Sequence, residues 1–467
     1  MLLFSIIAYL ALTILIGYWA SRRVKTSGDF MLAGRSLPIA LSCAALFATW
    51  FGSETVFGAS SRFMKGGLYA VIEDPFGAAL CLVLFGLFFA RKLYNMNLLT
   101  LGDYFKIRYG GKAELVASVF LAPPYVGYIA AQLVAMSLIL NVVTGIELWQ
   151  GVVISATVVT CYTYIGGMWA ISVTDSVQSV IIIIGLFVLA AVLSNKAGGV
   201  GVVLSEVSDN NLRFLPKPEG KEIVTYIAAW SVLGLGSIPS QDVFQRSMSS
   251  GSANIAVRSC YFAAILYLTV AMLPLFISLC TRHLYPDQVM NDTQLVLPYM
   301  VIQHTGLGIQ ILFFGSLLSA IMSTTSSAML APAAIFSENL VRPLLKNKLS
   351  DKRMLLLTKG SIILFSTIAT VMACLRSDIY ELVGESSILS LVTLFAAMTF
   401  GIYWKKANAT GAIASMIAGF AAWICFEFIY KISVPGLVPA TIISVISLVG
   451  GSLLWNKSNE NRDQPVE

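Results

Sequence analysis

The sequence predicts an all-α polytopic membrane protein. Hydrophobic residues fill 57% of its 467 positions and charged residues only 12%, against about 25% charged in an average soluble domain. Apolar runs near the roughly 20 residues that a helix needs to cross a bilayer recur along the chain. Thirteen can be drawn, at about 2–20, 37–63, 66–90, 114–141, 149–165, 168–194, 221–245, 255–281, 307–337, 354–376, 378–403, 408–430 and 434–455. The longest connections, about 195–220 and 282–306, leave no room for a soluble domain. The first run reads as a retained helix, because its basic residues Arg22 and Arg23 follow it, whereas a signal peptide carries them in front.

Lys and Arg set the orientation. With the N-terminus outside, the inner loops carry 20 of the 30 basic residues, Arg246 and Arg258 among them; the outer loops carry 9, and Lys359 lies within a span. The positive-inside rule then favours N-outside, C-inside. The net charge of +6 is a topology signal and gives nucleic-acid binding no support. The seven Cys stand singly, with no C-x-x-C pair, and read as small apolar packing residues. His283 and His304 share an outer loop and read as surface residues. No G-x-x-x-x-G-K loop and no H-E-x-x-H is present. ATP-driven transport by this chain and metalloprotease chemistry therefore have no residues to run on, and no nucleophile–base set marks an enzyme.

The second span holds Ala48-Thr49-Trp50-Phe51-Gly52-Ser53-Glu54-Thr55 near its centre. A carboxylate, small polar residues and a glycine there predict an interrupted helix. In the third span, Glu73-Asp74-Pro75 reads equally as a solvated vestibule or a helix start. Asp175 lies one or two turns into the sixth span, and acids inside a membrane mark function by default. The seventh span holds Gly234-Leu235-Gly236-Ser237-Ile238-Pro239, a second interruption. The two broken spans are five apart and run in opposite directions, the pattern of a transporter site between inverted halves. In the ninth span Ser323-Thr324-Thr325-Ser326-Ser327 follow Ala320-Ile321-Met322. An unpaired hydroxyl in hydrocarbon costs several kcal/mol. At helical spacing 320, 323, 324 and 327 share one stripe and 323, 326 and 327 another. Stripes of neutral oxygens suit a small hard cation; Thr325, on neither, is expected to bond back to its own helix.

These residues resemble the sodium:solute symporter family over almost the whole chain. Gly166-Gly167 followed by Thr174-Asp175 and Gln178 is similar to its signature; Ala320 to Thr324 resembles its sodium-binding helix, and Ala48 to Glu54 its unwound first core helix. The resemblance implies a LeuT-type 5+5 inverted repeat with about thirteen transmembrane helices. Its parts would be 1–36, a leading helix and inner loop; 37–403, a ten-helix core; 404–455, two trailing helices; and 456–467, a cytoplasmic tail. It implies one sodium site made of Ala48, Phe51 and Ala320 backbone oxygens with the hydroxyls of Ser323 and Thr324. A second sodium site in some members matches Asp175, Ser323, Ser326 and Ser327. Within the family, Ile238 to Arg246 with Ser249-Ser250, Ala48-Thr49-Trp50 and Gly86 to Ala90 resemble the high-affinity choline transporter branch. A quaternary ammonium is held by aromatic faces; Trp50 and Tyr128 fit, but Ser240 and Ala78 stand where that branch has aromatics. Glu54, Asp74 and Asp242 are alternatives that would face a cationic or amino-bearing solute, Asp242 equally a loop residue at the inner surface.

The function expected is sodium-coupled import of a small polar organic solute by alternating access, with one or two sodium ions, in the cell (inner) membrane. Candidate solute contacts are Thr49, Trp50, Ser53, Glu54, Asp74, Tyr128 and Ser240. The alternative is proton-coupled or uncoupled transport of a choline-like or amino-bearing solute on the same fold. A receptor would need a signalling domain, and the polar tail after Leu454 offers none. The partners expected are the solute and the bilayer, with no nucleic acid and no ATP; oligomeric state stays open.

Overall fold

The computed structural model describes residues 31–205, 207–285, 293–345 and 350–454, with scattered positions of the leading segment. The expected first span, its basic loop and the tail lie largely or wholly outside the described residues. Among those described, every element is helical apart from an isolated bridge between Leu37 and Ser250. Hydrocarbon leaves a backbone few other ways to satisfy its polar groups. Nine described helices are long and apolar enough to span a membrane, or eleven if each of two bent pairs is one span.

In chain order the long helices and the two bent pairs are α1a (Ile39–Trp50) and α1b (Glu54–Gly66), bent by 50°; α2 (Leu68–Asn95); α3 (Gly111–Thr144); α4 (Leu148–Lys196); and α5a (Gly220–Gly236) and α5b (Gln241–Met248), bent by 47°. Then come α6 (Ala253–Leu284), α7 (Leu307–Leu344), α8 (Asp351–Leu375), α9 (Ile379–Tyr403), α10 (Ala409–Ile429) and α11 (Leu437–Leu454). Both expected interruptions are therefore present. The N-terminal end of α1a is joined to the C-terminal end of α5b by main-chain bonds: Leu37 N–H donates to Ser249 O (3.0 Å) and Gly251 N–H to Leu37 O (2.9 Å). The two broken helices thus run in opposite directions.

Two spans were expected at 149–165 and 168–194, yet helical hydrogen bonding continues from Leu148 to Lys196, 49 residues. A straight helix of that length would be about 74 Å long, far beyond the roughly 30 Å of hydrocarbon. It is not straight: the Tyr162 hydroxyl lies 3.1 Å from Thr174 Oγ1, where twelve residues of straight helix would separate their backbones by about 18 Å. The helix folds back between them. Its second limb packs antiparallel to α7, since Gln178 Nε2 donates to Ser319 Oγ (2.5 Å) and Ser323 Oγ donates to Asp175 Oδ1.

Burial ranks the helices. Every residue of α7 from Phe313 to Ile335 is buried, so it is the central element. In α11 only Leu437, Ala440, Ser444, Leu448 and Ser452 are buried, a single stripe, which makes it peripheral. Large apolar side chains such as Val180, Ile184, Phe187, Ile265 and Ile446 face outward; on a membrane protein that face meets lipid.

Candidate functional site

The α1 break is an inverse γ-turn. Phe51 has φ −79° and ψ 81°, and Gly52 N–H donates to Trp50 O at 2.9 Å, close to the geometry of that turn. The turn takes the Phe51 carbonyl out of the helical ladder. α7 crosses here. Thr324 Oγ1 donates to Ala48 O at 2.8 Å and to Ala320 O at 3.1 Å, which brings three of the five expected ion oxygens together. Ser323 Oγ gives its proton to Asp175 Oδ1, leaving its lone pairs as donors. Gly52 permits the crossing: a Cβ there would stand 3.1 Å from Gln132 Oε1 and 3.6 Å from Thr324 Oγ1. Gln132, which the sequence analysis passed over, accepts Ser53 N–H at 3.3 Å; a lone amide in the apolar run of α3 was the available signal. Among the described residues no group of three or more His, Cys, Asp or Glu could hold a metal ion. Carbonyls at the end of α1a with a carbonyl and hydroxyls from the middle of α7 fit a hard monovalent ion.

The remaining hydroxyls do not all turn the expected way. Thr325 Oγ1 donates to Ile321 O at 2.5 Å, its own helix. Ser326 Oγ accepts from Thr163 Oγ1 at 2.9 Å, on the first limb of α4. Ser327 Oγ accepts from Arg246 Nη2 at 2.7 Å, and the same nitrogen lies 3.5 Å from Asp175 Oδ2. Arg246 had been counted as an inner-loop cation; it is 1% exposed. The correction has a structural reason: α5b has only 8 residues, and it packs against α1a and α7 without leaving the bundle.

A small cavity of about 40 Å³ opens between the two breaks, lined among others by Trp50, Tyr125, Tyr128, Ser240, Asp242 and Ser387. Trp50, Tyr128 and Ser240 were expected there. Asp242 is on this wall, at the start of α5b and 7% exposed, rather than in a loop at the surface. Tyr125, one turn before Tyr128, was not anticipated; its hydroxyl donates to Asp242 Oδ1 at 2.8 Å and accepts Asp242 N–H at 2.9 Å. It adds an aromatic wall that Ser240 and the fully buried Ala78 do not supply. Tyr128 is held by donation to Thr49 O at 2.5 Å. The Trp50 indole N–H is buried without an acceptor among the described residues.

Thr49, Ser53, Glu54 and Asp74 are not on the cavity wall. Thr49 Oγ1 bonds back to Ala45 O at 3.0 Å. Glu54 and Asp74 are 3% and 0% exposed, and Tyr267 O–H donates to Asp74 while lying 2.6 Å from Thr55 Oγ1. Asp74 itself leaves helical geometry, at φ −135° and ψ 124°, as the residue before a proline tends to. This removes the solvated-vestibule reading for Asp74.

The family model described as sodium:solute symporter family matches residues 30–419. Among curated relatives, human high affinity choline transporter 1 is 26% identical over 438 residues, covering 89% of this chain and 75% of its own. The Torpedo marmorata high-affinity choline transporter 1 is 29% identical with the same coverage, and the rabbit sodium-dependent multivitamin transporter is 28% identical over 89% of this chain and 68% of its own. A substrate-bound, outward-open Na+-coupled sialic acid symporter superposes with a TM-score of 0.85 at 20% identity, over 97% of this chain and 96% of the other.

Proposed function

This chain belongs to the sodium:solute symporter family, and from that premise we propose how it couples ion to solute. The protein is a multi-pass membrane transporter, a sodium-coupled symporter of a small solute, and not an enzyme. In our reading sodium is carried at Ala48 O, Phe51 O, Ala320 O, Ser323 Oγ and Thr324 Oγ1. The observation that carries this is the Thr324 hydroxyl, within hydrogen-bond reach of carbonyls on both α1a and α7. An ion there bonds to two separate helices at once, so its affinity changes when they separate, and only differential affinity shifts a conformational equilibrium. Alternating access follows. Sodium arrives from outside and joins α7 to the α1 break; solute binds in the adjoining cavity; inward opening parts the helices and the ion leaves. The full architecture is ten core helices of two inverted repeats within 37–403, a leading helix, and two trailing helices in 404–455. The chain lies N-outside, C-inside in the cell (inner) membrane.

The solute we propose is small and amino-bearing. Trp50, Tyr125 and Tyr128 offer ring faces to a cation, and Asp242 is the carboxylate on the wall. Thr49, Ser53, Glu54 and Asp74 act through the shape of the break. A thermal-shift screen of the purified protein tests both halves, with amines, amino acids, sugars and carboxylates in sodium or in potassium at fixed pH. An amine that stabilises only in sodium is expected; equal stabilisation in potassium sinks sodium coupling. Asp242→Asn then removes a charge-assisted bond worth about 1.5–3 kcal/mol, so the amine is needed at roughly 10- to 150-fold higher concentration.

A further inference from the structure

We propose that Asp74 is a proton-binding site: it is a neutral acid in this conformation, and its proton completes a hydrogen-bond chain that ends on the Trp50 carbonyl at the α1 break. The inference goes beyond the sodium-coupled reading and does not rest on it. It starts from a count of protons. Three contacts join four oxygens in series. Asp74 Oδ1 meets the Tyr267 hydroxyl, that hydroxyl lies 2.6 Å from Thr55 Oγ1, and Thr55 Oγ1 lies 3.2 Å from Trp50 O. A hydroxyl supplies one proton. Two hydroxyls therefore serve two of the contacts and leave the third as bare oxygens facing each other. With Asp74 protonated the count closes: the acid donates to Tyr267, Tyr267 to Thr55, and Thr55 to Trp50 O.

The surroundings favour the neutral form as well. Asp74 is fully buried, its Oδ2 has no partner, and no ion pair among the described residues includes it. A buried charge persists only with a counter-charge. What faces Asp74 adds none. Glu54 of α1b, with Oε1 also buried and unpartnered, is within electrostatic range, and Glu73 precedes it on α2. Tyr267 of α6, Tyr128 of α3 and Tyr380 of α9 are the other titratable groups turned to it. Arg62 of α1b is spent on Asp378 and Glu381, and on α5a Glu222 is paired with Arg213. Asp74 is also off the wall of the solute cavity, beyond the solute's own charge. Loss of the proton reverses the chain: Thr55 then donates to Tyr267 and Tyr267 to Asp74. Trp50 O is left with only the Gly52 N–H at 2.9 Å. The ring of the same Trp50 lines the solute cavity, so the charge state of one acid on α2 reaches the chamber through the backbone of the break.

The test is infrared difference spectroscopy of the purified full-length chain in potassium chloride at neutral pH, in the carbonyl region where a protonated carboxyl absorbs and a carboxylate does not. Wild type minus Asp74→Asn is expected to show one protonated-acid band. Transfer to heavy water should shift that band downward, as an exchanging proton requires. Tyr267→Phe removes the acceptor of the acid's proton and should move the band to higher frequency. Glu54→Gln should leave it in place. No band in the difference between wild type and Asp74→Asn overturns the inference, as does a band that heavy water does not move. If Asp74→Asn does not fold, Tyr267→Phe decides: an acid region identical to that of wild type means that Asp74 is ionised. Loss of the band in Glu54→Gln with its retention in Asp74→Asn gives the proton to the neighbouring acid and overturns the assignment. With sodium and solute both left out, failure here says nothing against sodium coupling, and failure of sodium coupling leaves the band unaffected.

Discussion

At Thr324 one hydroxyl lies 2.8 Å from a carbonyl of α1a and 3.1 Å from one of its own helix. Thr324→Ala leaves those carbonyls without this oxygen as a co-ligand. At about 1–3 kcal/mol for an unreplaced buried polar contact, the sodium needed for half-maximal thermal stabilisation should rise about 5- to 150-fold. Thr324→Ser should stay close to wild type, and a shift below about twofold in Thr324→Ala removes the residue from the ion site. The hydroxyl run was legible because hydrocarbon penalises every polar atom that lacks a partner. Stripe geometry also separated Thr325, bonded to Ile321, from its neighbours. It did not foresee that Ser326 turns to Thr163, because the folding back of α4 is invisible to a one-helix projection. Arg246 was hidden by the charge count itself, which treats an arginine after a span as wet. Tyr125 was hidden because two tyrosines one turn apart on an apolar helix read as packing.

The two broken helices were readable as elements, since Gly, Pro and a carboxylate at the middle of a span leave few continuous-helix solutions. What packs against each break was not readable. Gly236 shows why: a Cβ there would fall 2.4 Å from Ser387 O, a backbone atom of α9 that cannot rotate aside. Gly236→Ala should therefore lower stability by about 1–3 kcal/mol, the usual cost of overpacking, and weaken solute binding in the adjoining cavity. Gly360→Ala, which meets open space inside α8, should hold the melting temperature or raise it slightly. Equal melting of the two variants in a fluorescence-monitored thermal scan contradicts this account of the α5–α9 contact. The fold in α4 and the π-helical turns, such as Glu54–Ala59 after the first break, had no sequence cue strong enough to predict them. The turn at 54–59 adds a residue to the helical ladder beside the break, a placement π-turns favour.

For the molecule as a whole, orientation rests on the distribution of Lys and Arg, and it can be checked directly. In a cysteine-free background, a cysteine at Lys217 should react with a membrane-impermeant maleimide on intact cells. One at Lys405 should react only after lysis, both positions being exposed. The opposite pattern inverts the topology. One sodium charge crossing 100 mV is worth about 2.3 kcal/mol, enough for a roughly fiftyfold solute gradient from voltage alone. The union of Leu37 with Ser249 and Gly251 bears on how that energy is delivered. Because it is made of backbone atoms, α1a and α5b form a single lever whose stiffness is indifferent to most side-chain exchanges. In the proposed cycle, a pull exerted by the ion on α1a is expected to move α5b, and with it the wall of the solute chamber. Evolution is then free to remodel the chamber for new cargo without rebuilding the linkage that drives it.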